Sequence, residues 1–155
     1  MGIVVAGAVF VDVKGFPDSK YISTGRNVGH VEYIHGGVSR NVVENIANLE
    51  LRPTFLGIVD DSAMGQDVID KLKRHKVNTS YMKTVRNGMG TWLAVFDNNG
   101  DLAGSISQRP NLMPILDILE EDGDKIISEA DSIVTEIDID KEIIKKLIQI
   151  GRAHV

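Results

Sequence analysis

A chain of 155 residues is one domain's worth of material and can bury roughly two thirds of its unfolded surface. With 43% hydrophobic residues, 25% charged residues and a net charge of −5, it reads as a folded globular protein, and the lack of a basic run argues against a nucleic-acid partner. Zero cysteine removes disulfides and fits a cytoplasmic location; the histidines at 30, 35, 75 and 154 offer no zinc-type spacing; no stretch reaches the ~18 to 20 apolar residues that span a membrane.

Ile3 to Val9, IVVAGAV, is a short apolar run with β-branched residues, as in a strand buried on both faces. No positive region precedes it, so it does not read as a signal peptide. Asp12 follows closely, where a carboxylate is costly unless it is paired or used; a turn or cap aspartate is the plainer alternative. Residues 15–34 are polar and irregular, with a strand expected at His30 to Ile34. Next comes HGGVSRNVVENIANLE, residues 35–50. Val38, Val42, Ile46 and Leu49 recur there at helical spacing, widened by Val43 and Ala47. Gly36-Gly37 before this helix serves either a turn of positive φ or a close approach of backbone to a ligand, at a helix N-terminus with free N–H groups. Asn41, in the first turn, is either a solvent-facing polar residue or a ligand contact. Only proximity to the glycines recommends His35 as a base.

Beyond Pro53, TFLGIV reads as a second buried strand. Asp60-Asp61 are placed to cap the following helix, which carries Val68, Ile69 and Leu72 and ends among Lys71, Lys73, Arg74 and Lys76, where cations suit the helix dipole. Residues 89–108, MGTWLAVFDNNGDLAGSISQ, predict two strands joined by the turn DNNG. Trp92 within them reads as flap or interface packing. A helix over about 114–130 leads to a strand at Ser132 to Ile137 and a last helix from about 139, with Ile139, Ile143, Ile144, Leu147 and Ile148 on its apolar face. Glu136 lies in TEIDID at that strand's end, either a loop acid or a site residue.

Buried strands alternating with amphipathic helices predict an α/β fold, a mostly parallel sheet covered by helices, with the antiparallel pieces standing off one edge as a small flap. In such sheets ligands bind beyond the carboxyl ends of the strands, where Asp12, Gly36-Gly37 and Glu136 would converge. Neither G-x-G-x-x-G nor G-x-x-x-x-G-K-[ST] occurs in the sequence.

Taken in order, the strand leading to Asp12, GGVSRNVVENIANLELRPTFLGIVDDSAMG, GMGTWLAVFDNNGDLAGSIS and DSIVTEIDID resemble the PfkB (ribokinase-like) family of carbohydrate and nucleoside kinases. The glycine pair, the asparagine four residues on, and Gly57, Asp61 and Gly65 in G-x-x-x-D-x-x-x-G carry the resemblance. GGVSRNVVENIA is particularly similar to the pseudouridine-kinase-like members. The resemblance implies a three-layer α/β/α fold with a β lid from about 15–34 and 89–108. It also implies phosphoryl transfer from ATP, with Mg2+, to a sugar or nucleoside hydroxyl. Asp12 would bind sugar hydroxyls, the backbone at Gly36 and Gly37 would lie against the sugar, Asn41 would contact it, and Glu136 would stand nearby. The lid, often a dimer contact in the family, implies a homodimer. One departure is Phe10, where many members carry asparagine two residues before the aspartate.

The family's glycine-rich anion hole, catalytic aspartate and ATP pocket come from the second half of a chain about twice this length, and nothing here matches them. Residues 1–149 are therefore expected to be the N-terminal part of such a kinase, truncated and inactive alone, with no catalytic residue to name. The final IGRAHV matches one reading frame of a common sequencing-library adapter, so residues 150–155 are expected to be a non-native tail. The alternative function is a non-catalytic sugar-binding or interaction module of the same fold; a dehydrogenase is disfavoured by the missing G-x-G-x-x-G.

Overall fold

The computed structural model describes residues 2–154. Its first half runs β1 (Ile3–Ala6), β2 (Phe10–Pro17), β3 (Gly29–Gly36), α1 (Val38–Asn48), β4 (Thr54–Leu56), β5 (Ile58–Val59) and α2 (Ala63–Arg74). The second half runs β6 (Lys83–Thr84), β7 (Gly90–Phe96), β8 (Leu102–Gln108), α3 (Pro114–Ser128), β9 (Ser132–Thr135) and α4 (Lys141–Ala153).

β4, β1 and β9 form a parallel sheet in that order, with β1 in the middle. Because side chains alternate along a strand, the apolar run of β1 serves two cores at once. Val4 and Ala6 pack with Ile115 and Leu119 of α3 and Ile143 and Leu147 of α4. Val5 packs on the opposite side with Val43 of α1 and Val68 and Leu72 of α2. The result is the expected three layers, helices covering both faces of the parallel sheet. β5 pairs separately, in parallel with β6, so TFLGIV is two strands divided at Gly57.

The flap is a four-stranded sheet in the order β3-β2-β7-β8. Its outer pairs are antiparallel, but β2 and β7 run parallel, so it is a mixed sheet where an antiparallel one was expected. It also starts earlier than the sequence implied. β1 ends at Ala6, Ala8 and Val9 form a buried link, and Asp12 lies inside flap strand β2 instead of just past the first strand. Hydrophobicity does not distinguish a buried link from a strand, which is why IVVAGAV reads as one element.

The α1 stripe also differs from the sequence pattern. Val43 and Ala47 are buried, but Val38 and Leu49 are 64% and 73% exposed, and the buried first-turn positions belong to Ser39 and Arg40. Ser39 is accommodated because its hydroxyl donates to the Ala6 carbonyl at 3.3 Å, and Arg40 because its guanidinium donates to Glu44 and Asn41. The cap of α2 is Ser62, whose Oγ accepts from the Gly65 N–H at 3.1 Å; Asp60 instead accepts from the Ser62 N–H, also at 3.1 Å. β9 stops at Thr135 and leaves Ile137 96% exposed. α4 continues through residues 150–153, with Ile150 in the core. No helix among the described residues is long and apolar enough to cross a membrane.

Candidate functional site: a cleft under the flap

A cleft of about 360 Å3 opens where the segments following β1 and β9, the first turn of α1 and one face of the flap meet. Asp12 from β2, Gly37 and Asn41 at the start of α1, and Glu136 after β9 all line it. Residues separated by more than a hundred positions are thus brought to one wall, beyond the carboxyl ends of the parallel strands. Gly36 does not line the cleft; it is buried beneath Asp12.

Register decides which flap residues face inward. Asp12 stands opposite Ile34 and Trp92, and Trp92 opposite Ser107; Asp12, Trp92 and Ser107 share the cleft. The alternate positions, with Val13 opposite Tyr33 and Leu93, face away. His35, opposite Val11, belongs to that other face. Its Nε2 lies 3.1 Å from Asp67 Oδ2 on α2, and its side chain is 11% exposed. Burial pushes the His35 pKa below its ordinary value, against the pull of Asp67. His35 is thus a tie between flap and helix, and the geometry gives it no path to the cleft.

The two glycines have different tasks. A Cβ on Gly36 would sit 2.3 Å from Asp12 Oδ1, so the missing side chain is the space the carboxylate occupies. Gly37 has φ +97°, and a Cβ there would come 2.5 Å from the Ala8 carbonyl oxygen and 3.1 Å from the Phe10 nitrogen. Here the requirement is for backbone passing backbone. Gly37 also precedes α1 as its cap, with its carbonyl accepting from the Asn41 N–H at 2.9 Å.

Burial raises the Asp12 carboxyl pKa above its ordinary value, opposed by Lys14 and Arg40. Glu136 is engaged by backbone: its Oε1 accepts from the Ala8 N–H at 2.6 Å and its Oε2 from the Ser39 N–H at 3.4 Å. It therefore satisfies one of the free N–H groups of the α1 N-terminus and ties the β1 and β9 ends to that helix. A carboxylate accepts more than two hydrogen bonds, so cleft-side capacity remains.

Among the lining residues that sequence reasoning did not single out, three stand out. Trp92, read as packing, forms part of the wall; its register with Asp12 is invisible until β2 and β7 are known to pair in parallel. Arg109 lines the cleft and donates to the Asp138 carbonyl, joining the loops after β8 and β9. Its only sequence signal is its position just past a flap strand. Phe10, the departure from the family pattern, supplies apolar wall in the cleft. A carboxylate acceptor, an amide and a tight backbone turn among apolar walls suit a neutral polyhydroxylated ligand.

The pfkB family carbohydrate kinase model matches residues 2–155, and the chain belongs to that family. It is 32% identical over 151 residues to a guanosine-inosine kinase of Exiguobacterium acetylicum, covering 97% of this chain and 50% of that protein. It is 24% identical over 106 residues to the pseudouridine kinase of Escherichia coli K12, covering 68% of this chain and 34% of that one. The ribokinase-like fold recurs in the Arabidopsis thaliana ribokinase complexed with ribose and ATP, with a TM-score of 0.77 at 16% identity, covering 98% of this chain and 50% of that one. The chain thus spans half the length of the guanosine-inosine kinase and about a third of that of the pseudouridine kinase.

Proposed function

We propose that this chain is the substrate-side part of an ATP-dependent kinase that phosphorylates a hydroxyl of a sugar or nucleoside. The observation that carries the reading is the convergence of Asp12, the Gly37 turn and Asn41 on one cleft between flap and sheet. Asp12 accepts a hydrogen bond from a substrate hydroxyl, Asn41 makes a second polar contact, Gly37 lets backbone approach, and the flap acts as a lid that excludes water.

Among the described residues no cluster of three or more His, Cys, Asp or Glu could hold a metal ion. Both common phosphate-cradle motifs are absent from the sequence. The residues present therefore do not fit Mg-ATP, whose site is proposed to lie in a longer protein. The coverage of half the relatives supports this, as does an apolar hollow of about 520 Å3 beside edge strand β9, lined by Ile133, Ile144, Leu147 and Ile148. On this reading the 155-residue chain alone turns nothing over. The protein is proposed to be cytoplasmic. A homodimer through the lid is proposed from its outward apolar face, where Val31, Tyr33, Leu93 and Ile106 are 57%, 64%, 42% and 69% exposed.

The test is to offer the full-length protein ATP, Mg2+ and a panel of pentoses, hexoses and nucleosides. Acceptor-dependent ADP release is the expected result. Acceptor binding without ADP release would favour a non-catalytic sugar-binding module instead.

A further inference from the structure

Arg40 is the one charged side chain in the buried set of the described residues, at 5% exposure. A guanidinium is an expensive thing to bury, and a buried ion pair is weak ground for expecting stability. An apolar residue at this position would simply extend the Val43 and Ala47 face of α1. Arg40 instead donates through Nη1 to Glu44 and through Nη2 to Asn41 Oδ1, while its Nε finds no partner. Glu44 is held in turn by Lys71 at 3.0 Å and His75 at 3.7 Å, both from the α2 side. A chain of charges thus runs from α2 through Glu44 and Arg40 and ends on the amide of a cleft residue.

Arginine has donors only. Whatever faces its Nη2 must be an acceptor, so the oxygen of the Asn41 amide turns to Arg40 and the NH2 group is left for the cleft. We infer that Arg40 is a positioning residue that locks the Asn41 amide with its Nδ2 donor toward the substrate, which gives the cleft a fixed donor beside the Asp12 acceptor. This rests on reading the cleft as the sugar site. A free asparagine could present either end of its amide. A locked one selects substrates that place a hydroxyl oxygen at Asn41 and a hydroxyl proton at Asp12, and it discriminates against analogues lacking either hydroxyl.

The experiment is steady-state kinetics of the full-length protein with the best acceptor of the panel, comparing Arg40→Met, Arg40→Lys, Asn41→Ala, Asn41→Asp and the Arg40→Met/Asn41→Ala double variant. Losing one neutral hydrogen bond should raise the acceptor KM about five- to tenfold in Asn41→Ala. Arg40→Met should do nearly the same, the double variant no more than either alone, and the KM for ATP should stay within about twofold. Arg40→Lys, which has one point of charge in place of a fork, should rescue only in part. Asn41→Asp keeps the oxygen and loses the donor, so it should lose at least as much as Asn41→Ala. Among monodeoxy acceptors, at least one should be rejected by the wild type and accepted almost equally by Arg40→Met, an effect a merely structural role would not produce.

Multiplying effects of Arg40→Met and Asn41→Ala, or an Asn41→Asp variant with normal acceptor KM, would overturn the inference. Should Arg40→Met fail to fold, Asn41→Asp decides, because Asn41 is exposed. Should the wild type release no ADP with any acceptor, the kinase reading is what has failed. Proton–nitrogen NMR of the Asn41 side-chain amide then still tests the lock, which predicts a changed NH2 signal in Arg40→Met, and an unchanged one refutes it.

Discussion

Replacing each of the adjacent glycines by alanine should separate substrate binding from folding. At Gly37 the new Cβ meets backbone, 2.5 Å from the Ala8 oxygen and 3.1 Å from the Phe10 nitrogen, at φ +97°. Neither obstacle can rotate away. The φ strain costs about 1–3 kcal/mol and relief of the contact adds a comparable amount, so Gly37→Ala should lose about 2–5 kcal/mol. For a domain of this size that lowers Tm by roughly 5–15 °C. At Gly36 the three atoms nearest the new Cβ all belong to the carboxylate of Asp12, with Oδ1 at 2.3 Å and Oδ2 at 2.9 Å. The side chain can swing out at about 0.5–1.5 kcal/mol, offset by about 0.4–1 kcal/mol from the stiffer unfolded chain. Gly36→Ala should therefore melt within a few degrees of the wild type. If Asp12 binds the acceptor as proposed, displacing it removes a charged hydrogen bond of about 1.5–3 kcal/mol, so the acceptor KM of the full-length protein should rise roughly ten- to a hundredfold with the ATP KM unchanged. Thermal melts by circular dichroism and initial-rate kinetics read both effects. A Gly36→Ala protein that melts as early as Gly37→Ala, or that keeps its acceptor KM, would refute the assignment of tasks.

Asp12 also gives a pH prediction. Its folded pKa lies above the ordinary value, so the ionised form costs stability once pH exceeds the unfolded pKa of about 3.8. Asp12→Asn should thus melt no earlier than the wild type at neutral pH, while the acid limb of acceptor binding in the wild type should lie above the usual aspartate range. Glu44 runs the other way. Burial alone would raise its pKa, but Lys71 and Arg40 outweigh burial and lower it, so its contribution is present above about pH 4.5 and is lost as pH falls through the depressed folded value. His35, kept neutral chiefly by burial, adds stability above its unfolded pKa of about 6.5 that fades as the medium is acidified. In His35→Gln the slope of Tm against pH just below that value should be shallower, measured by melts across the range. Glu136→Ala removes an acceptor from two backbone N–H groups and should cost about 2–4 kcal/mol in chemical denaturation; an unchanged midpoint would show that Glu136 is not the tie described. On the outer flap face, Ile106→Lys should abolish a lid dimer in sedimentation without moving the acceptor KM.

Much of the three-layer core was legible because burial on both faces leaves a mark in composition. The β1 run, the DNNG turn and most of the α4 stripe follow from period and turn chemistry, although Ile148, expected on that apolar face, is 49% exposed. What escaped depends on pairing over distance. That Asp12 sits in a flap strand requires knowing that β2 pairs with both β3 and β7, and nothing local to FVDVKGFP states it. The α1 face was misjudged because Ser39 and Arg40 are buried through hydrogen bonds, which hydrophobic periodicity cannot register. The same blindness hid Trp92, whose cleft position follows from register with Asp12. The candidate site residues came mostly from family resemblance; composition alone left each of them with an ordinary alternative.

Trp92 also offers the most direct measurement. It is the one tryptophan of these 155 residues and lines the cleft opposite Asp12, so in the full-length protein any tryptophan outside them is first replaced by phenylalanine. Titrating the acceptor that supports ADP release should change its fluorescence saturably, with a half-point near the acceptor KM when product release is not limiting. Asp12→Ala should shift that half-point upward by roughly tenfold or more. An acceptor that is phosphorylated and leaves Trp92 emission unchanged would place the substrate elsewhere and contradict the cleft as the sugar site.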